Sequence, residues 1–172
     1  MSVRLLGCDL RTAGPSDAAA IAALHLASQR AAYQGIVPSE LIEHPDLAAR
    51  TREWEQALMA GTGPTFLLED GGQLLGFCYV RPTPDDDLDP QTIAEISNLH
   101  VTPQRRGRGH GSVLFEAARR WAAGSFQELA LWVVEENRPA RRFYEKLGMA
   151  PDGGTRTYHG SDVPVVRYRL TL

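Results

Sequence analysis

The sequence predicts an α/β fold of mixed α+β character, a single domain over residues 1–172 with a partly antiparallel sheet. Three observations predict it. Apolar runs of strand length alternate with stretches of helical period. The segment "TFLLEDGGQLLGFCYV" reads as two strands about a tight Asp70-Gly71-Gly72 turn, which makes part of the sheet antiparallel. The chain has 172 residues, 43% hydrophobic and 23% charged. That length can bury roughly 70% of its unfolded surface around one core without a disulfide or metal. The alternating strand–helix units are too few for a full dinucleotide-binding sheet.

In order along the chain, residues 5–10 are expected as the first strand, with Cys8 a small core or edge residue. "PSDAAAIAALHLASQRAAY" offers Ser16 and Asp17 as caps and places Ile21, Leu24 and Ser28 on one helical face. "PDLAARTREWEQALM" sets Leu47, Thr51, Trp54 and Leu58 at helical spacing. The glycine-turn hairpin follows, then "RPTPDDDLDPQ", a loop by its prolines and acidic run. Residues 92–101 are strand-like, and residues 112–123 helical with Val113, Leu114, Ala117 and Trp121 inward. "ELALWVV" is a short strand. "RPARRFYEKLGM" is a helix with Pro139 in its first turn and Gly148 past its end. "TRTYHG" and "VPVVRYRL" close the chain as a strand pair.

Composition excludes several classes. No apolar run approaches the roughly 20 residues needed to span a bilayer. Cys8 and Cys78 form no metal-ligand spacing, which suits a reducing, cytoplasmic setting. "VRLLGCDL" contains a lipoprotein-box pattern without the apolar segment that should precede it. Residues 1–100 carry 6 basic and 14 acidic side chains, and residues 101–172 carry 12 and 7. The basic C-terminal part suits an anionic ligand, and solvated, uneven surface explains the split equally well. A pI of about 5.9 disfavours general nucleic-acid binding.

The seam "VTPQRRGRGHGSVLF" concentrates the chemistry. A helix N-terminus offers unpaired N–H groups and partial positive charge, and glycines let an anion approach the backbone. Gly107, Gly109 and Gly111 can therefore present N–H groups to a diphosphate, with Arg106 and Arg108 at its rim. A P-loop is excluded because there is no GxxxxGK[ST]. A dinucleotide fingerprint misses by one position, although Glu135 falls where a ribose ligand belongs. An acyl-coenzyme A pyrophosphate loop and a plain solvent-exposed turn remain.

That seam, followed after one strand by "NRPARRFYEKLGM", resembles the GNAT superfamily of N-acetyltransferases. Gly109 follows Val101 by eight positions, inside Arg106-Gly107-Arg108-Gly109-His110-Gly111, and N-x-x-A-x-x-F-Y-x-x-x-G-[FM] fits from Asn137 to Met149. The motifs cover roughly residues 93–150, and the first ninety residues match the family's element order more loosely. The resemblance implies a central, mostly antiparallel sheet of about seven strands with about four flanking helices. The sheet would split into a V between the fourth strand, Ile93–Val101, and the fifth, Glu128–Val134.

It implies acetyl-CoA as cosubstrate, no metal, and direct attack of a primary amine on the thioester. Backbone groups of Leu99, His100 and Val101 would meet the pantetheine, with the Leu99 N–H as oxyanion donor; the His100 side chain would be structural. Gly107, Arg108, Gly109, His110, Gly111 and Ser112 would hold the pyrophosphate, with Arg106 beside them; His110 would act through its backbone N–H alone. Asn137 would bond the pantetheine or cap its helix, or both. Glu95, sharing a strand face with Ser97 and Leu99, is the candidate base, with a surface or ion-paired glutamate as the alternative. Tyr144 is the candidate acid toward the departing sulfur, with a core tyrosine as the alternative.

Cys78 is assigned to the hairpin core. Acceptor contacts would involve Tyr33, Gln34, Tyr158 and His159, and the acidic loop, residues 85–89, could attract a cationic amine or serve solubility alone. The expected acceptor is a small-molecule amine or a protein N-terminus or lysine, with no nucleic acid or membrane partner and a homodimer among the expected assemblies. The alternative is a catalytically silent acyl-CoA-binding module. An arginine–glycine nucleic-acid binder and a nicotinamide enzyme are further readings.

Overall fold

The structure is a computed structural model that describes residues 3–5, 7–43 and 46–172. Among the described residues there are eight strands: β1 (Val3–Leu5), β2 (Cys8–Thr12), β3 (Thr65–Asp70), β4 (Gln73–Pro82), β5 (Ile93–Val101), β6 (Glu128–Val134), β7 (Ala150–Thr157) and β8 (Pro164–Thr171). Four α-helices accompany them: α1 (Ala18–Tyr33), α2 (Leu47–Ala60), α3 (His110–Ala123) and α4 (Arg138–Lys146). The strands form one sheet in the order β1-β2-β3-β4-β5-β6-β8-β7, antiparallel at every junction except β5–β6.

The expected first strand is two strands. Leu5 pairs with Cys8 across a turn in which Gly7 has φ +78°, so the chain reverses inside the run read as continuous; Leu6, in that run, lies outside the described residues. Helix α3 begins at His110 rather than residue 112, and its inward face is Leu114, Phe115, Ala118 and Ala122. Val113, Ala117 and Trp121 flank that face instead of forming it. On α2 only Trp54 of the expected stripe is buried, and Leu47 is 49% exposed.

Strand alternation divides the apolar side chains between two layers. Leu67, Phe77 and Tyr79 pack with Ile21, Ala22 and Trp54 beneath α1 and α2. Leu68, Cys78, Val80, Ala94, Ile96, Leu129 and Leu131 pack with the inward face of α3, and α4 adds Ala140 and Tyr144.

The sheet parts in its middle. β5 and β6 pair in parallel from Ile93 and Glu128 only as far as Ile96 and Leu131. Beyond that point β5 stays paired to β4 and β6 to β8. The two inner edges separate as the V expected between the fourth and fifth predicted strands.

Candidate active site

A cavity of about 660 Å³ occupies the parting of β5 and β6. One wall runs from Ile96 to Val101 and then along Arg106, Gly107, Gly109, His110, Gly111 and Ser112; the opposite wall holds Trp132, Asn137, Phe143 and Tyr144. The walls are close because glycines allow it. Gly109 caps α3 at φ +85°, a left-handed conformation that glycine adopts without Cβ strain. A Cβ on Gly111 would sit 3.1 Å from the Phe143 ring of α4. Among the described lining residues there are arginines and histidines but no aspartate or glutamate. Backbone N–H groups at the start of α3 with no carboxylate nearby suit a bound diphosphate.

The loop side chains divide. Arg106 lines the cavity, and one terminal nitrogen of its guanidinium reaches α1 and donates to the carbonyl and hydroxyl of Ser28, both at 3.1 Å. Arg108 is exposed and outside the cavity wall. The His110 ring is buried, its Nδ1 3.0 Å from the Arg105 carbonyl, so Nδ1 carries the hydrogen and the ring is committed to the loop.

Tyr144 lies on the cavity wall and packs edge-on against Phe143 at 5.2 Å. Burial pushes its phenol well above the usual range, and Cys78 and Tyr33 push it further, so it stays protonated. The Asn137 side-chain oxygen accepts from the Ala140 N–H at 3.2 Å, capping α4. That leaves its carboxamide NH2 for a cavity ligand. Cys78 is fully buried in the core, and burial raises its thiol pKa, which removes it as a thiolate.

Glu95 is on the other face of β5 from Leu99, contrary to the expected shared face. The register of β4 on β5 slips: Tyr79 faces Asn98, but Val80 faces Ile96, so Ser97 is an extra residue on β5. Such a bulge reverses the alternation beyond it. Ala94, Ile96 and Leu99 consequently all reach the α3 core. Glu95 meets Arg81, whose guanidinium lies 5.8 Å from the Tyr79 ring on the α1 side. The Ser97 hydroxyl donates to Glu95 Oε1 at 2.7 Å, and Oε2 is buried with no hydrogen-bond partner. Burial raises the Glu95 pKa, opposed by the Ser97 bond. Ser97 lines the cavity and Glu95 does not.

The acidic loop is largely engaged within the protein. Asp85 accepts from the Trp132 indole at 2.8 Å and lies 3.4 Å from Arg167. Asp87 takes both terminal nitrogens of Arg167 at 2.8 Å, and Asp89 accepts from the Gln91 backbone N–H. Arg156 stacks over the Trp132 ring at 4.1 Å. Asp85 and Asp87, which could have attracted an amine or served solubility alone, tie the loop to β6, β7 and β8.

The histidines of the α1 face are structural. His100 Nδ1 meets the Ser28 hydroxyl at 3.1 Å, and the Trp54 indole donates to His25 Nδ1 at 3.2 Å. Burial pushes His100 down to about 3 and His25 down to about 2, so both rings are neutral. Of the acceptor candidates, Tyr33 lines the large cavity, and Tyr158 lines a second one of about 200 Å³ between α1 and α2. Their rings meet edge-on at 5.5 Å. Gln34 and His159 are exposed and line neither cavity. Ser97 and Trp132 were missed as site residues. Trp132 had a signal: in "ELALWVV" it alternates away from Leu131 and Val133, an indole on the polar side of the sheet. Ser97 had none, because a bulge leaves no periodic trace.

The comparisons agree with this geometry. The acetyltransferase (GNAT) family model matches residues 29–149. Probable N-acetyltransferase Rv2775 of Mycobacterium tuberculosis is 31% identical over 94% of this chain and 92% of its own length. A Bacillus subtilis protein named for alanine N-acetylation of ribosomal protein bS18 is 32% identical over 54% of this chain and 58% of its own. Among solved structures, the PaiA N-acetyltransferase of Thermoplasma acidophilum in complex with coenzyme A has a TM-score of 0.72 at 16% identity, covering 97% of this chain and 100% of that one. YncA of Salmonella typhimurium, solved with its cofactor acetyl-CoA, has a TM-score of 0.72 at 18% identity, covering 96% and 94%. The sheet parted at β5 and β6, the glycine-capped α3 and the family match together establish that this chain belongs to the GNAT family and is an N-acetyltransferase.

Proposed function

We propose that the protein, working as one domain over residues 1–172, transfers an acetyl group from acetyl-CoA to a primary amine by direct attack. The observation that carries this reading is a cavity lined both by the open edge of β5 and by the glycine loop and first turn of α3, with Tyr144 opposite. Acetyl-CoA, when bound, supplies the activated acyl group as a thioester. Leu99, His100 and Val101 offer backbone groups along the open strand edge to the pantetheine, and Asn137 adds its carboxamide NH2. Gly107, Arg108, Gly109, His110, Gly111 and Ser112 offer N–H groups to the pyrophosphate, and Arg106 supports the loop by holding it to α1.

The Leu99 N–H stabilises charge developing on the acyl oxygen. A primary amine is mostly protonated near neutral pH and must lose a proton to attack. Glu95, held above the usual carboxylate range by burial, accepts that proton. Tyr144, whose phenol is kept protonated, donates to the departing sulfur. The acceptor enters on the side of Tyr33 and Tyr158. The Bacillus relative makes an alanine N-terminus the first acceptor to try, and a small-molecule amine or a lysine the next.

The test is acetyl-CoA binding followed by thiol release. Saturating acetyl-CoA should raise the thermal midpoint, since a ligand at 100 times its dissociation constant adds about 2.7 kcal/mol. Coenzyme A thiol should then appear with an amine acceptor, and Tyr144→Phe should slow its release about tenfold or more without weakening acetyl-CoA binding. A thermal shift with no thiol release on any amine would identify a silent acyl-CoA-binding module. No shift would remove the coenzyme assignment.

A further inference from the structure

Glu95 is 4% exposed and absent from the cavity wall, yet the base must take a proton from an amine in that cavity. Ser97 stands between them. Its Oγ accepts from Arg81 Nε at 2.9 Å and donates to Glu95 Oε1 at 2.7 Å. Arg81 can only donate, so the hydroxyl hydrogen must point at Glu95. A hydroxyl oxygen has two lone pairs and Arg81 occupies one. No other protein donor among the described residues takes the second, and Ser97 lines the cavity. The charged groups facing Glu95 are Arg81, with a terminal nitrogen 4.0 Å from Oε1, and Asp85 and Arg156 from the neighbouring loop and β7.

We propose that Ser97 is a proton relay, taking a proton from the acceptor ammonium on its free lone pair while passing its own hydrogen to Glu95 Oε1. The inference rests on the acyl-transfer reading above. In the relay one N–H bond of the ammonium breaks and an O–H bond forms on Ser97. The former Ser97 O–H bond breaks and an O–H bond forms on Glu95. The amine becomes neutral, the carboxylate becomes a carboxylic acid, and Ser97 is unchanged. Arg81 is a positioning residue, because its bond to Oγ aims the hydroxyl hydrogen.

Ser97→Ala, Ser97→Thr and Glu95→Gln should be compared with the parent protein. Thiol release would be followed from pH 6 to 10 with acetyl-CoA and either an alanine-initiated peptide or benzylamine. Ser97→Ala should lower kcat/KM near neutral pH by about 10- to 100-fold with acetyl-CoA affinity unchanged. The deficit should close as pH approaches the pKa of the acceptor amine, since a neutral amine needs no relay. Ser97→Thr keeps the hydroxyl and should recover most of the rate. A parent-like rate for Ser97→Ala, or a deficit constant with pH, overturns the relay. If Glu95→Gln alone is slow in that case, Glu95 remains the base and is reached through water; if Glu95→Gln is also parent-like, the base assignment falls too. Should neither acceptor turn over, a carboxyl 13C titration decides. Loss of the Ser97 bond must move the Glu95 midpoint upward, and an unmoved midpoint overturns the relay.

Discussion

The two ends of the cavity are built from different material. The end at α3 draws on one local segment, from β5 through the glycine loop, shaped by Gly109 at φ +85° and by the absence of a Cβ on Gly111. The end at Ser97 and Trp132 is side chains backed by separate elements: Ser97 of β5 bonds Glu95 and Arg81 of β4, and Trp132 of β6 bonds Asp85 of the loop before β5, which meets Arg156 of β7 and Arg167 of β8. A backbone site is local in sequence and general in what it holds, since every residue offers an N–H group. A side-chain site is dispersed and particular. On the function proposed above, the backbone end would serve the part of the reaction that the family shares, and the side-chain end would serve proton removal from the amine.

The largest expected effect comes from breaking the dispersed end at its hub. Arg167 has a side chain only 7% exposed and serves Asp85, Asp87 and Asp152. Arg167→Ala would take from the shielded Asp152 carboxylate its shortest ion pair and from Asp85 one of its two arginines. Removing one member of a buried ion pair costs about 3–5 kcal/mol. A denaturant titration should show that loss. A parent-like midpoint would mean that Arg156 and Arg169 suffice to hold the loop.

The backbone end should break differently. Gly109→Val imposes a β-branched residue on a left-handed backbone and blocks close approach at the head of α3. Acetyl-CoA affinity should fall about 100-fold, roughly 2.7 kcal/mol, while the parted sheet and the Glu95 cluster persist. The reading is the acetyl-CoA-dependent shift in thermal midpoint, which should vanish in a protein that still melts cooperatively. A retained shift would move the coenzyme away from this loop.

This contrast also explains how much of the molecule was legible in the sequence. The spacing of Val101, Gly107, Gly109 and Gly111 placed the backbone end, because a glycine requirement is written at the position where it acts. Asn137 and Tyr144, singled out together in one motif, both line the cavity. The hairpin turn was legible from Asp70-Gly71-Gly72, with both glycines at positive φ. The side-chain end was not legible. The bulge at Ser97 reverses the strand alternation with no local mark, so Glu95 and Leu99 were set on one face. The run at residues 85–89 read as a free acidic loop because Arg167 and Trp132, which engage it, lie more than forty positions away. The bond from Arg106 to Ser28 was not legible either, because nothing local indicates that Ser28 faces it across the fold.

The smallest effect tests the comparison at one atom. Glu95 Oε2 is buried without a partner, an arrangement that favours reactivity over stability. Burial raises the folded-state pKa of Glu95 above its ordinary value in the unfolded chain. A raised pKa means the folded protein binds that proton more tightly. The resulting stability is present in acid, below the unfolded value, and is lost as pH rises through the folded one. Glutamine cannot ionise, so Glu95→Gln should melt higher than the parent near pH 8, and the gap should close as pH falls toward 4. Asp17 provides the opposite sign. Its pKa is lowered by the hydrogen bond from Arg11, so its contribution is present at neutral pH and lost in acid. Asp17→Asn should therefore melt lower than the parent at pH 8, with a gap that also closes in acid. Thermal midpoints of the three proteins across pH 4 to 8 separate a carboxylate held for chemistry from one held for the fold. A Glu95→Gln variant that melts below the parent at pH 8 would assign Glu95 to the second kind, and the side-chain end would lose its base.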